Sequence, residues 1–131
     1  MVIIREPKYL TEEQNLAENL KIEEMGATLR KKRTGLPVNL FLDDARGYRS
    51  SGHWKRIKFQ ADKGDSPNTR TMIPMSIADD PQILVKNPKM SLSSKDIEQI
   101  KIFVKLNKDL LLQLSDAQID IIEFVNKMKT V

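Results

Sequence analysis

A stretch in the middle of the chain reads His53-Trp54-Lys55-Arg56-Ile57-Lys58-Phe59-Gln60-Ala61. Its odd positions become apolar toward the middle of the stretch, and its even positions share the opposite face of an extended chain. This period of two predicts a β-strand over residues 53–61. One face of the strand suits a core, and the other carries Trp54, Arg56, Lys58 and Gln60.

The same period occurs on both sides of this strand. Residues 38–42 place apolar side chains at even positions and Asn39 and Phe41 at odd ones, which predicts another strand. Residues 71–77 alternate in the same way and predict a third. Pro74 cannot donate a backbone hydrogen bond, so we expect the third strand at a sheet edge or with a bulge. The sheet region is therefore predicted at residues 36–78.

Helical patterns lie before and after the predicted sheet. Thr11-Glu12-Glu13-Gln14 has the form of a capping box, which predicts a helix over residues 11–26 that follows an N-terminal arm, residues 1–10. Leu16, Ala17 and Leu20 share an apolar face of this helix. Ser93, followed by Asp96, resembles the start of another helix, and apolar residues at helical spacing predict C-terminal helices within residues 93–129.

These elements predict one α+β domain that spans residues 1–131. We expect a three-stranded, mostly antiparallel sheet that is packed on one face by helices near 12–25 and 94–114, with a final helix near 116–128. The element order is then α-β-β-β-α-α. The length of 131 residues suits one domain, and the chain contains no internal repeat.

Composition excludes several classes of function. The chain has no cysteine and one histidine, which excludes a disulfide framework, a thiolate nucleophile and a zinc site built on sulfur. No glycine-rich phosphate loop is present, and we expect neither a metal nor a cofactor. No apolar run approaches the roughly 18 residues of a membrane span, and the first residues do not resemble a signal peptide. The sequence predicts a cytoplasmic protein without membrane contact.

The positive charge is concentrated in the middle third of the chain. The whole sequence has 22 Lys and Arg against 18 Asp and Glu, a net charge of +4. Residues 30–70 alone hold eleven basic and four acidic side chains, a net +7, whereas residues 1–29 carry −3 and residues 71–131 carry 0. This asymmetry favours a polyanion or an acidic partner. The alternative is a solvated surface that only keeps the protein soluble.

Our leading hypothesis is a non-catalytic binding module of bacterial or phage origin. Its basic middle segment would engage nucleic acid or an acidic protein surface, since single-stranded nucleic-acid binders place an aromatic plane beside cations on a sheet. The candidate binding residues are Arg30, Lys31, Lys32, Arg33, Arg49, Trp54, Arg56 and Lys58. If helices cover that face of the sheet, Trp54 belongs instead to the core, with the stems of the basic side chains packed along it.

Two other hypotheses come from different classes of protein. A lone histidine at a strand start can act as a general acid or base, so the chain could be a small metal-independent ribonuclease in which His53 is catalytic and Lys55 or Arg56 supports the transition state. The third hypothesis is a structural or inhibitory homo-oligomer. It would assemble through the Met72–Pro74 edge or through the last helix.

The order of elements supports two family resemblances. Ser51-Gly52-His53 at the second strand and Arg70-Thr71-Met72-Ile73-Pro74 in the third make residues 11–106 similar to the HicA-type messenger-RNA-cleaving toxins. That resemblance implies a double-stranded-RNA-binding-like fold and a single catalytic histidine, at His53. The helix around residues 97–111 also resembles one in small uncharacterised bacterial domains found near toxin–antitoxin genes.

Overall fold

The computed structural model describes residues 9–25, 27–42 and 55–131, which form a sheet with helices on both faces. The strands are β1 (Ala27–Leu29), β2 (Leu40–Leu42), β3 (Arg56–Gln60) and β4 (Met72–Ser76), with a 3-10 turn at Thr69–Thr71. The helices are α1 (Glu12–Met25), α2 (Lys31–Thr34), α3 (Ser94–Leu106), α4 (Lys108–Ser115) and α5 (Ile121–Lys127). In this part of the chain, no helix is long and apolar enough to cross a membrane.

The described strands form one antiparallel sheet in the order β1-β2-β3-β4. Leu29 pairs with Leu40, Leu40 with Phe59, and Phe59 with Ile73. The α+β class and the antiparallel sheet are confirmed, but the predictions of three strands and of the order α-β-β-β-α-α are wrong, because the described elements follow the order α-β-α-β-β-β-α-α-α. The additional strand, β1, lies outside the predicted sheet region 36–78, and its three residues are too few to reveal a period of two.

The main core lies between the odd-numbered face of β3 and the three C-terminal helices. Ile57 and Phe59 are buried there with Phe103 of α3 and Phe124 of α5. The capping box at Ser93 is present and begins α3. The helix predicted over 94–114 is divided at Asn107, whose buried side chain donates to Phe103 O at 3.0 Å and to Lys129 O at 2.9 Å. The side chain of Asn107, at this break, therefore fixes the C-terminal segment around Lys129 to the end of α3.

Helix α1 lies on the other face of the sheet, so the prediction that helices cover a single face is wrong. Its capping box at Thr11 is present, with both hydrogen bonds to Gln14 formed. Asn15 and Asn19 face the sheet, and each donates through Nδ2 to Met72 O, at 2.9 and 3.1 Å. The predicted apolar face points outward instead: Leu16 and Leu20 are each 48% exposed, and Ala17 is exposed as well.

A buried ion cluster joins α1 to β3. The side chains of Arg56 and Lys58 are 0% exposed. Arg56 Nε donates to Glu18 Oε1 at 3.0 Å, a second nitrogen of Arg56 bonds Glu18 Oε2, and Lys58 Nζ lies 2.9 Å from Glu18 Oε1. Lys58 also donates to Asn15 Oδ1. Burial raises the pKa of Glu18, but these hydrogen bonds and charges more than offset it, so the pKa lies below its ordinary value.

The outer side of β4 is bonded to a later segment of the chain. Leu84 N donates to Pro74 O at 2.9 Å, Ser76 N donates to Gln82 O at 2.9 Å, and Met75 forms a bridge with Ile83. Pro74 thus lies in the last strand of the sheet, as predicted. Residues 82–84 therefore cover Pro74–Ser76, and Met72 and Ile73 are buried, so the open edge expected for oligomerisation is absent from the described fold.

Glu18 is predicted to control the pH dependence of stability. E18Q removes the Glu18 carboxylate from its ion pairs with two buried cations, so we expect the free energy of unfolding at pH 7 to fall by about 3 kcal/mol. Because the pKa of folded Glu18 lies below its ordinary value of 4.5, its stabilisation is complete above that pH and is lost as the pH falls through the folded pKa. Urea unfolding from pH 3 to 7 measures both effects.

The matched control is E98Q, which neutralises an exposed glutamate of α3. It should change the free energy of unfolding by less than about 0.5 kcal/mol. The difference between wild type and E18Q should shrink as the pH falls below 4.5, because the carboxylate then takes up a proton more readily in the unfolded chain than in the folded one. Equal losses for the two variants, or a difference that does not change with pH, would contradict the ion cluster as the anchor of α1.

Candidate functional site

Three basic segments meet at one end of the sheet. Because β1 and β3 run in the same direction, the connections that follow them, residues 30–39 and 61–71, lie at the same end. Residues 85–89 arrive at this end as well, because Leu84 pairs with Pro74 in the antiparallel sense. We call this surface the basic end and define it by Arg30, Lys31, Lys32, Arg33, Lys63, Arg70, Lys86 and Lys89.

Two buried amides hold the first two of these segments together. Asn39 Oδ1 accepts from Lys31 N at 2.9 Å, and Asn39 Nδ2 donates to Gln60 Oε1 at 3.2 Å and to Asp65 O at 3.2 Å. Gln60 Oε1 also accepts from Asn68 N at 3.0 Å. Both amides are 0% exposed. Buried hydrogen bonds of this kind are costly to break, so the start of α2 and the β3–β4 connection are fixed relative to each other.

Helix α2 presents the basic run that the sequence singled out. Arg30 donates to Asp65 O at 3.0 Å, and Lys31 Nζ lies 2.9 Å from Asp65 Oδ1. The hydrogen bond and charge of Lys31 hold the pKa of Asp65 below its ordinary value. Lys32 and Arg33 are exposed, and their side chains make no hydrogen bond or ion pair with the described part of the chain. Two cations of this run are therefore available to a ligand.

The other two segments add further exposed cations. Lys63 is already paired, because its Nζ lies 2.9 Å from Asp96 Oδ2. The side chains of Arg70, Lys86 and Lys89 are exposed and, like Lys32, have neither a hydrogen bond nor an ion pair among the residues described. From β1 to the segment beyond β4 there are four strand spacings, so the basic end is about 19 Å wide. Five available cations are spread across that width.

The structure divides the predicted binding residues into three groups. Residues 30–33 do lie together on the surface. Arg56 and Lys58 do not have the open position that was predicted, because α1 covers their face of the sheet and Glu18 forms ion pairs with both. Arg49 and Trp54 fall outside the described residues.

The residues of the ribonuclease hypothesis do not form a described site. His53 also lies outside the described residues. Lys55 is ion-paired with Asp116, and its carbonyl accepts from Ile77 N at the end of the sheet opposite the basic end. Arg56 is bound to Glu18. Among the residues described, no group of three acidic or histidine side chains is arranged to hold a metal ion.

The sequence analysis missed four of the basic residues, Lys63, Arg70, Lys86 and Lys89, as members of the site. Lys63 and Arg70 lie within the basic segment 30–70 but belong to no run of charges, and Lys86 and Lys89 lie in the segment whose net charge is 0. A topological signal was available, because alternate connections of an antiparallel sheet lie at the same end. That rule would have placed residues 30–39 and residues 61–71 at the same end of the sheet.

The presentation of α2 depends on the backbone at Gly35, whose φ of +79° ends the helix while its N–H donates to Lys31 O. No atom lies within 4 Å of an added Cβ, so G35A tests the backbone alone, and it should cost about 1 kcal/mol of stability. The inverse substitution A117G, at φ +58°, should add about 0.5 kcal/mol or be neutral. Thermal unfolding measures both changes in stability. Destabilisation by both substitutions would contradict the left-handed backbone at these two positions.

Comparisons of the chain with protein-family models, with curated proteins and with solved structures found no match.

Proposed function

We propose that this protein is a non-catalytic nucleic-acid-binding module that holds the phosphate backbone at its basic end. The observation that carries the proposal is the set of five exposed cations without partners in the described fold: Lys32, Arg33, Arg70, Lys86 and Lys89. The buried amides of Asn39 and Gln60 fix the underlying connections before any ligand arrives. Binding then needs little ordering of the backbone, which reduces its entropic cost.

The width of the basic end suits a polyanion with regularly repeated charge. A strand of duplex DNA carries one phosphate per roughly 3.4 Å of axis, so a surface about 19 Å wide faces about five of them. Lys31 and Lys63 are held by Asp65 and Asp96. These pairs keep the connections in place while the remaining cations are left to the ligand.

An acidic protein surface is a weaker fit to the same end of the sheet. The centres of protein interfaces are depleted in lysine and enriched in aromatic residues. None of the large exposed apolar residues of the described chain lies in the connections 30–39 and 61–71. Phosphate contacts need only positive charge and hydrogen-bond donors, which this surface offers. The cytoplasm, which the sequence predicts as the location, supplies RNA and DNA as ligands.

Binding is favoured over RNA cleavage because the predicted helpers of His53 are occupied. Lys55 is paired with Asp116 and Arg56 with Glu18. Supporting a transition state would require each cation to leave its carboxylate. RNA incubated with the protein should therefore remain intact, and cleavage that H53A abolishes would contradict the non-catalytic part of the proposal.

The salt dependence of binding tests the basic end. Five phosphate contacts to a 20-nucleotide single strand predict that log K falls against log salt with a slope of about −3.5. In the K32A/R33A variant the slope should become shallower by about 1.4, because two contacts are lost. Fluorescence anisotropy with a labelled strand between 50 and 300 mM salt measures both slopes.

A matched pair of substitutions controls for net charge. K105A/K129A also removes two exposed lysines, but these lie beside Asp79 near the opposite end of the sheet. Its slope should equal that of the wild type. A salt-independent affinity, an equal change in the two variants, or tighter binding of polyglutamate of the same charge would contradict nucleic-acid binding at the basic end.

A further inference from the structure

A cleft opens beside the basic end, between α1 and the segment that follows β4. It encloses about 240 Å³. Leu16 of α1 and Pro88 contribute apolar surface, while Arg70, Lys86 and Lys89 contribute positive charge. Pockets for drug-sized ligands measure roughly 300–1,000 Å³, so a cleft of this volume suits a single planar group. We call it the α1 cleft.

A buried amide also lines the α1 cleft. Asn19 is 1% exposed, and its Nδ2 is bound to Met72 O at 3.1 Å. Its Oδ1 has no hydrogen-bond partner in the part of the chain that the structure describes. A buried acceptor without a donor is rare, because its desolvation is not compensated. The amide orientation is set by Met72 O, so this position accepts and does not donate, and a ligand that completes it must bring a hydrogen-bond donor, an N–H or O–H group.

An unpaired nucleobase combines the properties that the α1 cleft requires. Its flat faces pack against apolar side chains, and its edge carries N–H donors. The phosphates on either side of it carry the negative charge that Arg70, Lys86 and Lys89 attract. Each of these complementary features belongs to one nucleotide unit. Leu16 was predicted to face the core, but it lines this cleft instead.

We propose that the α1 cleft receives one unpaired base of a single-stranded nucleic acid, with Asn19 Oδ1 accepting a hydrogen bond from the base edge. The proposal rests on the nucleic-acid binding proposed above and deepens it, because a base is available to such a cleft only where the strand is unpaired. Single strands should therefore bind more tightly than a duplex of the same length.

Titration of the ¹⁵N-labelled full chain with single nucleotides tests the cleft independently of the basic end. At least one of AMP, CMP, GMP and UMP should shift the side-chain amide signals of Asn19 and the backbone signals of Val85, Lys86 and Lys89. Its affinity should exceed that of ribose 5-phosphate by at least about fivefold, because the base adds apolar burial and a hydrogen bond that the sugar phosphate lacks. Absent shifts, equal affinity for ribose 5-phosphate, or a stronger effect of an acidic tripeptide would overturn the proposal.

Two leucines of α1 supply a matched pair of variants. Leu16 and Leu20 are equally exposed, at 48%, and only Leu16 lines the α1 cleft. L16E should weaken nucleotide binding by at least about fivefold, because it removes apolar contact and adds repulsion of phosphate. L20E should stay within twofold of the wild type. Equal effects of the two variants would overturn the base site.

The two proposals fail in different ways. If the chain binds oligonucleotides with the expected salt slope but single nucleotides leave Asn19 unshifted, the base site is wrong and the basic end stands. If single nucleotides shift Asn19 while oligonucleotides show no salt slope, the polyanion surface is wrong and the chain binds free nucleotides. If neither effect is seen, both proposals are wrong.

Discussion

The carboxylate of Glu18, whose side chain is 16% exposed, determines how α1 packs on the sheet. It forms ion pairs with Arg56 and Lys58, both 0% exposed, on the face of the sheet that α1 covers. Removing three charged groups from water is costly, and their hydrogen bonds and ion pairs offset that cost only when the geometry is good. The helix is therefore oriented by its polar side, and Leu16 and Leu20 are turned outward. The α1 cleft exists because the helix is fixed in this orientation.

A second buried polar pair organises the opposite side of the basic end. Asn39 and Gln60 link the start of α2 to the β3–β4 connection through hydrogen bonds of 2.9 to 3.2 Å. Both sides of the surface are thus built on hydrogen-bonded buried amides or charges beneath exposed cations. A rigid scaffold under long lysine and arginine side chains suits recognition of a nucleic-acid backbone, because its phosphates are regularly spaced whatever the sequence.

The sequence predicted the elements better than their orientations. Capping boxes at Thr11 and Ser93 and the period of two around Ile57 each depend on neighbours in the chain, and the structure has all three. The orientation of α1 depends on Glu18 meeting side chains that lie far along the chain, so Leu16 and Leu20 gave a false apolar face. The residues of the basic end converge through topology, which segment charge alone does not reveal.

Hydrogen–deuterium exchange with and without a 20-nucleotide single strand is the most direct measurement of the central claim that ligand binding is confined to one end of the sheet. The account predicts slower exchange in the presence of the strand for residues 30–36, 62–71 and 85–89, and unchanged exchange for residues 78–80 and 105–110 at the opposite end. Protection of the opposite end, or protection spread evenly over the chain, would contradict it.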